Sequence, residues 1–265
     1  MNEIKEKYKF LKPHLCKDLK RLGRNHDGGY VVSFNSILNS NYLISFGLGL
    51  DWSFELDYLE FNKKGRVLIY DHTINFKTFF PPFLKCVKRF LTFRKNITDV
   101  KNRFNELCNY YKFINKKNVN YFSKKIDKVA SRTEESLKNI LQKNPLIKKF
   151  ILKVDIEGSE FNIIDEIIHY SNNIEMLIIE FHDLDKNEKK FHKEILKLIN
   201  HFNIIHIHGN NHCNVNDYGL PIAIELTLLN KNYNLKKIEE KILFPLKELD
   251  YPNNPDLEDI KFTFK

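Results

Sequence analysis

No stretch of this chain reaches the ~18 consecutive apolar residues that a membrane-spanning helix needs. Stable insertion into a membrane is therefore not expected. Cysteine is scarce: Cys16, Cys86, Cys108 and Cys213 form no Cys-x-x-Cys pair. That argues against a zinc ribbon or a disulfide framework and for free thiols in a reducing compartment. Arginine is also scarce, supplying only seven of the 43 basic residues. Arginine is the preferred reader of phosphate and base edges, so a nucleic-acid partner is not expected despite a net charge of +9. The segment from Met1 to Lys7 lacks the apolar stretch and small-residue cleavage site of a signal peptide. The expected location is cytoplasmic. Internal repeats and low-complexity tracts are absent.

What remains is ordinary globular material, with 42% hydrophobic and 29% charged residues. Short apolar runs ending in turn or polar residues predict strands. They are Tyr42 to Phe46 before Gly47, Arg66 to Tyr70 before Asp71, and Lys149 to Val154 before Asp155. Met176 to Ile179 before Glu180, Asn203 to Ile207 before His208, and Pro221 to Leu229 complete the set. Helical spacing fills the gaps over Trp52 to Asn62, Ser159 to Tyr170 and Lys186 to Phe202. Such alternation predicts an α/β fold, a parallel sheet with helices on both faces. The last two strands have no helix between them, which predicts an antiparallel edge.

Residues 74–115 interrupt the alternation as a helical, basic insertion in an otherwise single domain spanning 1–265. Residues 75–128 hold fourteen Lys or Arg against three acids. Phe83, Leu84, Val87, Phe90 and Leu91 fall at helical spacing there, an amphipathic helix with basic flanks. A lid, a homo-oligomer contact and a membrane surface are its candidate uses.

Open sheets of this kind bind ligands beyond the carboxyl ends of their strands. The stretch Ser45-Phe46-Gly47-Leu48-Gly49-Leu50-Asp51-Trp52-Ser53 reads as strand, glycine turn and helix start. The third glycine of G-x-G-x-x-G would fall at 52, where Trp52 stands. Trp52 would crowd a pyrophosphate and Asp51 would repel it, whereas a sulfonium tolerates an acid nearby. Asp71 can accept both hydroxyl protons of a ribose. Glu180 and His182 alternate at a strand end and share a face. With Asp155 they are candidate ligands of a divalent ion such as Mg or Mn. His206 and His208 share a face, and either is a candidate base. Asn210 and Asn211 are candidate partners of sugar hydroxyls.

Taken in order, several stretches resemble the FkbM family of methyltransferases. They are Asn25 to Tyr30, Ser45 to Glu55, Tyr70 to Thr73, Leu152 to Glu160, Ile178 to Asp183 and His206 to Asn211. Lys153-Val154-Asp155-Ile156-Glu157-Gly158-Ser159-Glu160 is the most specific. The likeness runs over roughly residues 20–260 and is least typical in the basic insertion.

The resemblance implies a class I methyltransferase (Rossmann-like) fold, its mostly parallel seven-stranded sheet closed by an antiparallel edge strand and interrupted by a helical insertion after the second strand. It implies S-adenosylmethionine as donor, with Gly47, Gly49, Asp51, Ser53, Asp71 and His72 as its contacts. It also implies O-methylation, often of a sugar, with Asn25, Asp27, Tyr30, Asn210 and Asn211 as acceptor contacts. Asp155, Glu180, His182 and His208 are the candidate catalytic residues. The version here is similar to members from bacterial capsular-polysaccharide genes, which points to a nucleotide-activated sugar such as a GDP-linked heptose, or to a polymer.

Two other enzyme classes compete. A nicotinamide-dependent dehydrogenase is suggested by Tyr121-x-x-x-Lys125, though Val119 to Phe122 reads as strand. An amino-methylating nucleic-acid enzyme would need Asp/Asn-Pro-Pro-aromatic where Asp155-Ile156-Glu157-Gly158 stands. A non-catalytic binding protein of the same fold is the third alternative.

Overall fold

The computed structural model describes residues 2–238 and 240–264. Its central sheet has seven strands: β1 (Tyr42–Phe46), β2 (Arg66–Tyr70), β3 (Val119–Phe122), β4 (Phe150–Val154), β5 (Ile174–Phe181), β6 (Phe202–Gly209) and β7 (Ile224–Asn230). Their order across the sheet is β3-β2-β1-β4-β5-β7-β6. All neighbours pair in parallel except β7, which runs antiparallel to both β5 and β6. This is a mostly parallel α/β sheet, with the last hairpin folded back so that β7 enters between β5 and β6. The antiparallel strand is thus internal, and β6 forms the edge.

β-Branched and aromatic residues alternate across each strand, so each strand feeds two cores. On one face Ile44, Leu152, Val154, Ile179 and Leu228 pack against α4 (Glu160–His169) and α5 (Glu188–Leu198) through Ile164, Ile167, Phe191 and Ile195. On the other, Leu43, Val67, Ile151 and Ile178 pack against Phe54 and Tyr58 of α1 (Ser53–Phe61). A two-stranded hairpin, Leu19–Leu22 with Tyr30–Ser33, covers the same face with Leu22, Tyr30 and Val32. Thr227 fastens it by donating to the Val31 carbonyl at 2.6 Å.

Between β2 and β3 stand α2 (Phe76–Leu91) and α3 (Ile97–Ile114). A capping box starts α3: the Asn96 side chain accepts from the Asp99 amide at 2.9 Å, and Asp99 accepts from the Asn96 amide at 3.2 Å. The two helices pack on each other through Phe83–Phe104 and Phe79–Tyr110. Their base joins the rest of the molecule at Trp52, whose ring stacks on Phe113 at 5.6 Å. No helix among the described residues is long and apolar enough to cross a membrane.

Candidate functional site

Register explains why polar groups converge. Ser45 pairs with Lys153, and Ile179 with Val154, so Asp155 and Glu180 extend adjacent strand ends. Glu180 pairs with Glu225, and Glu225 with His208. Two clefts open at these ends and meet at Gly49, Asp155 and Glu157.

The first cleft, about 570 Å³, is lined by Gly47, Gly49, Tyr70, Asp71, His72 and Thr73 on one side. Lys124, Ile126, Asp155 and Ile156 line the other. Its volume lies within the ~300–1,000 Å³ range of small-molecule sites. Gly47 has φ +78°, and a Cβ there would fall 1.7 Å from the Asp155 carbonyl oxygen, so no other residue fits. Gly49, at φ +61°, faces open space.

Asp71 organises the glycine loop. Its Oδ2 accepts from the amides of Leu48 at 2.8 Å and Gly49 at 3.0 Å. Its Oδ1 accepts from the Thr73 amide and hydroxyl, both at 2.6 Å. Burial raises the carboxyl, but these bonds outweigh it and hold Asp71 below its ordinary range. The loop amides that would face a diphosphate are consumed by this carboxylate. Trp52, in contrast, points into the base of the helical pair, among Phe79, Tyr110 and Phe113. The expectation that Trp52 crowds the ligand is corrected: Asp71 is what closes the loop to a pyrophosphate.

The second cleft, about 320 Å³, is lined by Asp27, Tyr30, Asp51, Lys153, Asp155, Glu157, Glu180, His182 and Asn210, among others. Asp155, Glu180 and His182 each offer one ligand atom, all within 4.8 Å of one another. Every one has a supporting partner. The Tyr30 hydroxyl donates to Asp155 Oδ2 at 2.9 Å, Asn210 donates to Glu180 Oε1 at 2.9 Å, and His182 Nδ1 lies 2.8 Å from Glu160 Oε1. Such outer partners orient metal ligands. Glu160 Oε2 is buried with no hydrogen-bond partner in the structure. Glu157 and Asp183 hold left-handed backbone conformations beside the cluster, at φ 52° and 54°.

This is a site with excess negative charge. Burial, then Asp155 and Glu225, push the Glu180 carboxyl well above its usual range. Burial likewise raises Asp155, against the pull of Lys153 and His182. Burial would lower His182, but its bond to Glu160 and the charges of Glu180 and Asp155 carry it up to about 9. The carboxylates thus favour the imidazolium form of His182, and a divalent cation would take over its charge-balancing role.

Lys153 ties the two clefts together. It is 3% exposed, donates to the Gly47 carbonyl at 2.8 Å and pairs with fully buried Glu55 at 3.6 Å. Ser45 donates to the same Glu55 oxygen at 2.7 Å. Neither Lys153 nor Glu160 was singled out by sequence reasoning for this work. The signal for Lys153 was available: a lone charge inside the apolar run Phe150 to Val154 needs a buried partner.

The expected contacts divide as follows. Gly47, Gly49, Asp71 and His72 line the first cleft, and Gly49 is shared with the second. Asp51 lines the second cleft, where its carboxylate accepts from the Ser53 amide at 2.9 Å and faces Arg24 at 3.5 Å. Ser53 caps this turn, its hydroxyl bonded to Asp51 and to the Arg24 amide. Asp27, Tyr30 and Asn210 line the second cleft, whereas Asn25 is exposed outside both linings. Tyr121 is no catalytic tyrosine, because its hydroxyl donates to the carbonyls of Asp71 and Ile74.

Two expectations are corrected outright. Asn211 is used up as a clamp: its side chain accepts from the Asn254 amide at 2.7 Å and donates to the carbonyls of Asn254 and Leu257. His208 lies behind Glu225, 1% exposed, with Nδ1 3.4 Å from Glu225 and Nε2 3.1 Å from Asp259. His206 is likewise committed, to Asp250 at 3.0 Å. These groups brace the C-terminal segment instead of facing a ligand.

His208 carries a pH prediction. Burial would lower it, but Asp259 and Glu225 raise it to about 10. A raised folded-state value stabilises fully below the unfolded value of ~6.5 and is lost as pH climbs toward 10. Urea unfolding of wild type and His208→Gln should differ most at pH 6, and the gap should shrink steadily toward pH 10. A gap that widens with pH would remove the charged pairing.

No family model matches the chain, and no curated protein matches it either. Among solved structures it is similar to a fibrillarin pre-rRNA processing protein of Methanococcus jannaschii, at 9% identity and TM-score 0.38, covering 73% of this chain and 68% of that one. It is similar to precorrin-6y C5,15-methyltransferase from Geobacter metallireducens at 11% identity and TM-score 0.37, covering 74% and 85%. A putative methyltransferase from Thermoplasma acidophilum gives 9% identity and TM-score 0.33, covering 72% and 68%.

Proposed function

We propose that this chain is an S-adenosylmethionine-dependent O-methyltransferase of FkbM type that acts on a sugar hydroxyl. The observation that carries the reading is the meeting of two clefts at Gly49, Asp155 and Glu157. Displacement at a methyl carbon needs donor and acceptor in line, one on each side of a narrow junction. The first cleft suits the donor, which supplies an electrophilic methyl when bound. Gly47 and Gly49 let the backbone approach it, and Asp71 with His72 faces the region a ribose would take. Rotating an Asp71 oxygen from Thr73 toward the ribose would exchange one hydrogen bond for another.

The second cleft suits a hydroxyl-rich acceptor. Asp27, Glu157 and Asn210 offer acceptors for hydroxyl protons, whereas the density of carboxylates would repel a phosphate. The phosphates of a nucleotide-activated sugar, a GDP-linked heptose for example, would therefore lie outside this cleft. Tyr30 remains protonated, because burial and then Asp155 raise its hydroxyl far above the ordinary range. It holds Asp155 in place.

A sugar hydroxyl is a poor nucleophile at neutral pH and needs a base or a metal. The two-carboxylate, one-imidazole donor set and the partners behind it fit Mg or Mn. An ion held by Asp155, Glu180 and His182 would acidify a coordinated hydroxyl. Glu160 keeps His182 oriented, and Asn210 keeps Glu180 oriented.

The test is a screen of nucleotide sugars and polysaccharide fragments with the donor, read by mass spectrometry for one added methyl group. Treatment with chelator should abolish the product, and added Mg or Mn should restore it. Turnover indifferent to chelator would leave Asp155 acting as base without an ion. No methylated sugar from any donor-bound preparation would contradict the acceptor class.

A further inference from the structure

We propose that the far end of the α2–α3 hairpin docks on an anionic lipid bilayer. This surface is separate from both clefts, and the inference does not depend on the methyl-transfer reading. Along α2 only Phe79 and Cys86 are buried. Toward the far end several apolar side chains turn outward, while Val87 and Phe90 stay half-buried. Leu91 is 68% exposed and Phe93 98% exposed, and Leu84 and Ile97 are also exposed. Phe93 sits in the turn between the helices with φ 56°, a conformation rare for a bulky residue, and it carries its ring to the apex.

Around this apolar tip the charge is mostly positive, although Asp99 and Glu106 of α3 line a groove with Lys85, Arg89 and Lys95. Residues 84–97 hold Lys85, Lys88, Arg89, Arg94 and Lys95 and no acid. Lys95 reaches Asp99 at 3.6 Å. Among the described residues, Lys85, Lys88, Arg89 and Arg94 make no ion pair. Exposed apolar groups ringed by cations have the composition of an interfacial anchor: the rings and aliphatic chains enter the headgroup boundary and the cations meet anionic lipid.

Other occupants fit less well. A second copy would bring the same positive charge to the contact. Single-stranded nucleic acid could stack on Phe93, but Leu91 and Ile97 offer no stacking face. The length of α2 also suits a bilayer. Sixteen residues span about 24 Å. The helix starts just after His72 and Thr73 of the first cleft, so a docked tip would hold that cleft clear of the surface.

Flotation of the full chain with vesicles tests this. The protein should rise with vesicles of phosphatidylcholine mixed with phosphatidylglycerol at low salt, and not with phosphatidylcholine alone. Leu91→Asp with Phe93→Asp should weaken partitioning about tenfold or more with an unchanged thermal midpoint. Lys88→Ala, Arg89→Ala and Arg94→Ala together should weaken it about a hundredfold, about fivefold for each cation. Failure to rise with the anionic vesicles would overturn the proposal. So would undiminished binding in the Leu91/Phe93 variant, which would leave only diffuse charge attraction. Loss of RNA-oligomer binding, or of self-association, in that variant while vesicle binding persists would assign the tip to another occupant and overturn it equally.

Discussion

Replacing Lys153 with methionine is expected to cost the fold about 3–5 kcal/mol, because it strands the buried Glu55 carboxylate without its cation. Glu55 is 0% exposed, and one of its oxygens already lacks a hydrogen-bond partner in the structure. Lys153 is raised in spite of burial, chiefly by Glu55 and then Asp155, so it stays charged. Water cannot replace it at such depth. The loss should appear in urea unfolding as a lower midpoint at unchanged slope. Converting Glu55 to glutamine in the same chain should recover most of it, since a neutral amide can still bond Ser45. Donor affinity should remain weak in the double variant, because the Gly47 carbonyl has lost its only charged donor among the described residues. A Lys153→Met protein as stable as wild type would show that no buried charge pair joins these two residues.

The second large effect is on turnover. Asp155→Asn and His182→Ala are each expected to lower kcat by about a hundredfold or more, the usual cost of removing a charge-stabilising or proton-handling group. Asp155 faces both clefts from the end of a central strand, and the exposed Glu157 beside it lines both as well. His182 sits 4.0 Å from Asp155 and 3.6 Å from Glu180. Asp155→Asn removes no apolar packing, so its thermal midpoint should move little, whereas His182→Ala also takes the imidazole away from buried Glu160 and should lower the midpoint. Single-turnover rates with labelled donor separate chemistry from binding. Near-normal rates in both variants would take the two residues out of the mechanism.

Much of this was legible in the sequence, for a physical reason. A parallel strand buried on both faces must be a short apolar run, and its end must turn. The runs before Gly47, Asp71, Asp155 and Glu180 therefore announced both the sheet and the rim of the clefts. Sequence could not show that β7 enters between β5 and β6. That placement puts Glu225 between Glu180 and His208 and buries the histidine. The partners that consume His208 and Asn211 arrive from Asn254 to Asp259, more than forty residues away. Local spacing carries no trace of such contacts. Trp52 misled for the same reason: its fate is set by Phe79, Tyr110 and Phe113 of the inserted helices. Lys153 was visible as an anomaly, yet its partner Glu55 lies on the helix after β1 and only the fold joins them.

What the Gly47 cleft accepts decides whether this chain takes a methyl donor. Isothermal titration with S-adenosylhomocysteine, the demethylated donor, addresses that directly. One equivalent should bind to the wild-type chain, and Asp71→Asn should weaken it about tenfold, since the loop amides and the ribose face then lose a charged acceptor. NAD should give no heat. Saturable binding of NAD, with none of the adenosyl thioether, would contradict the account.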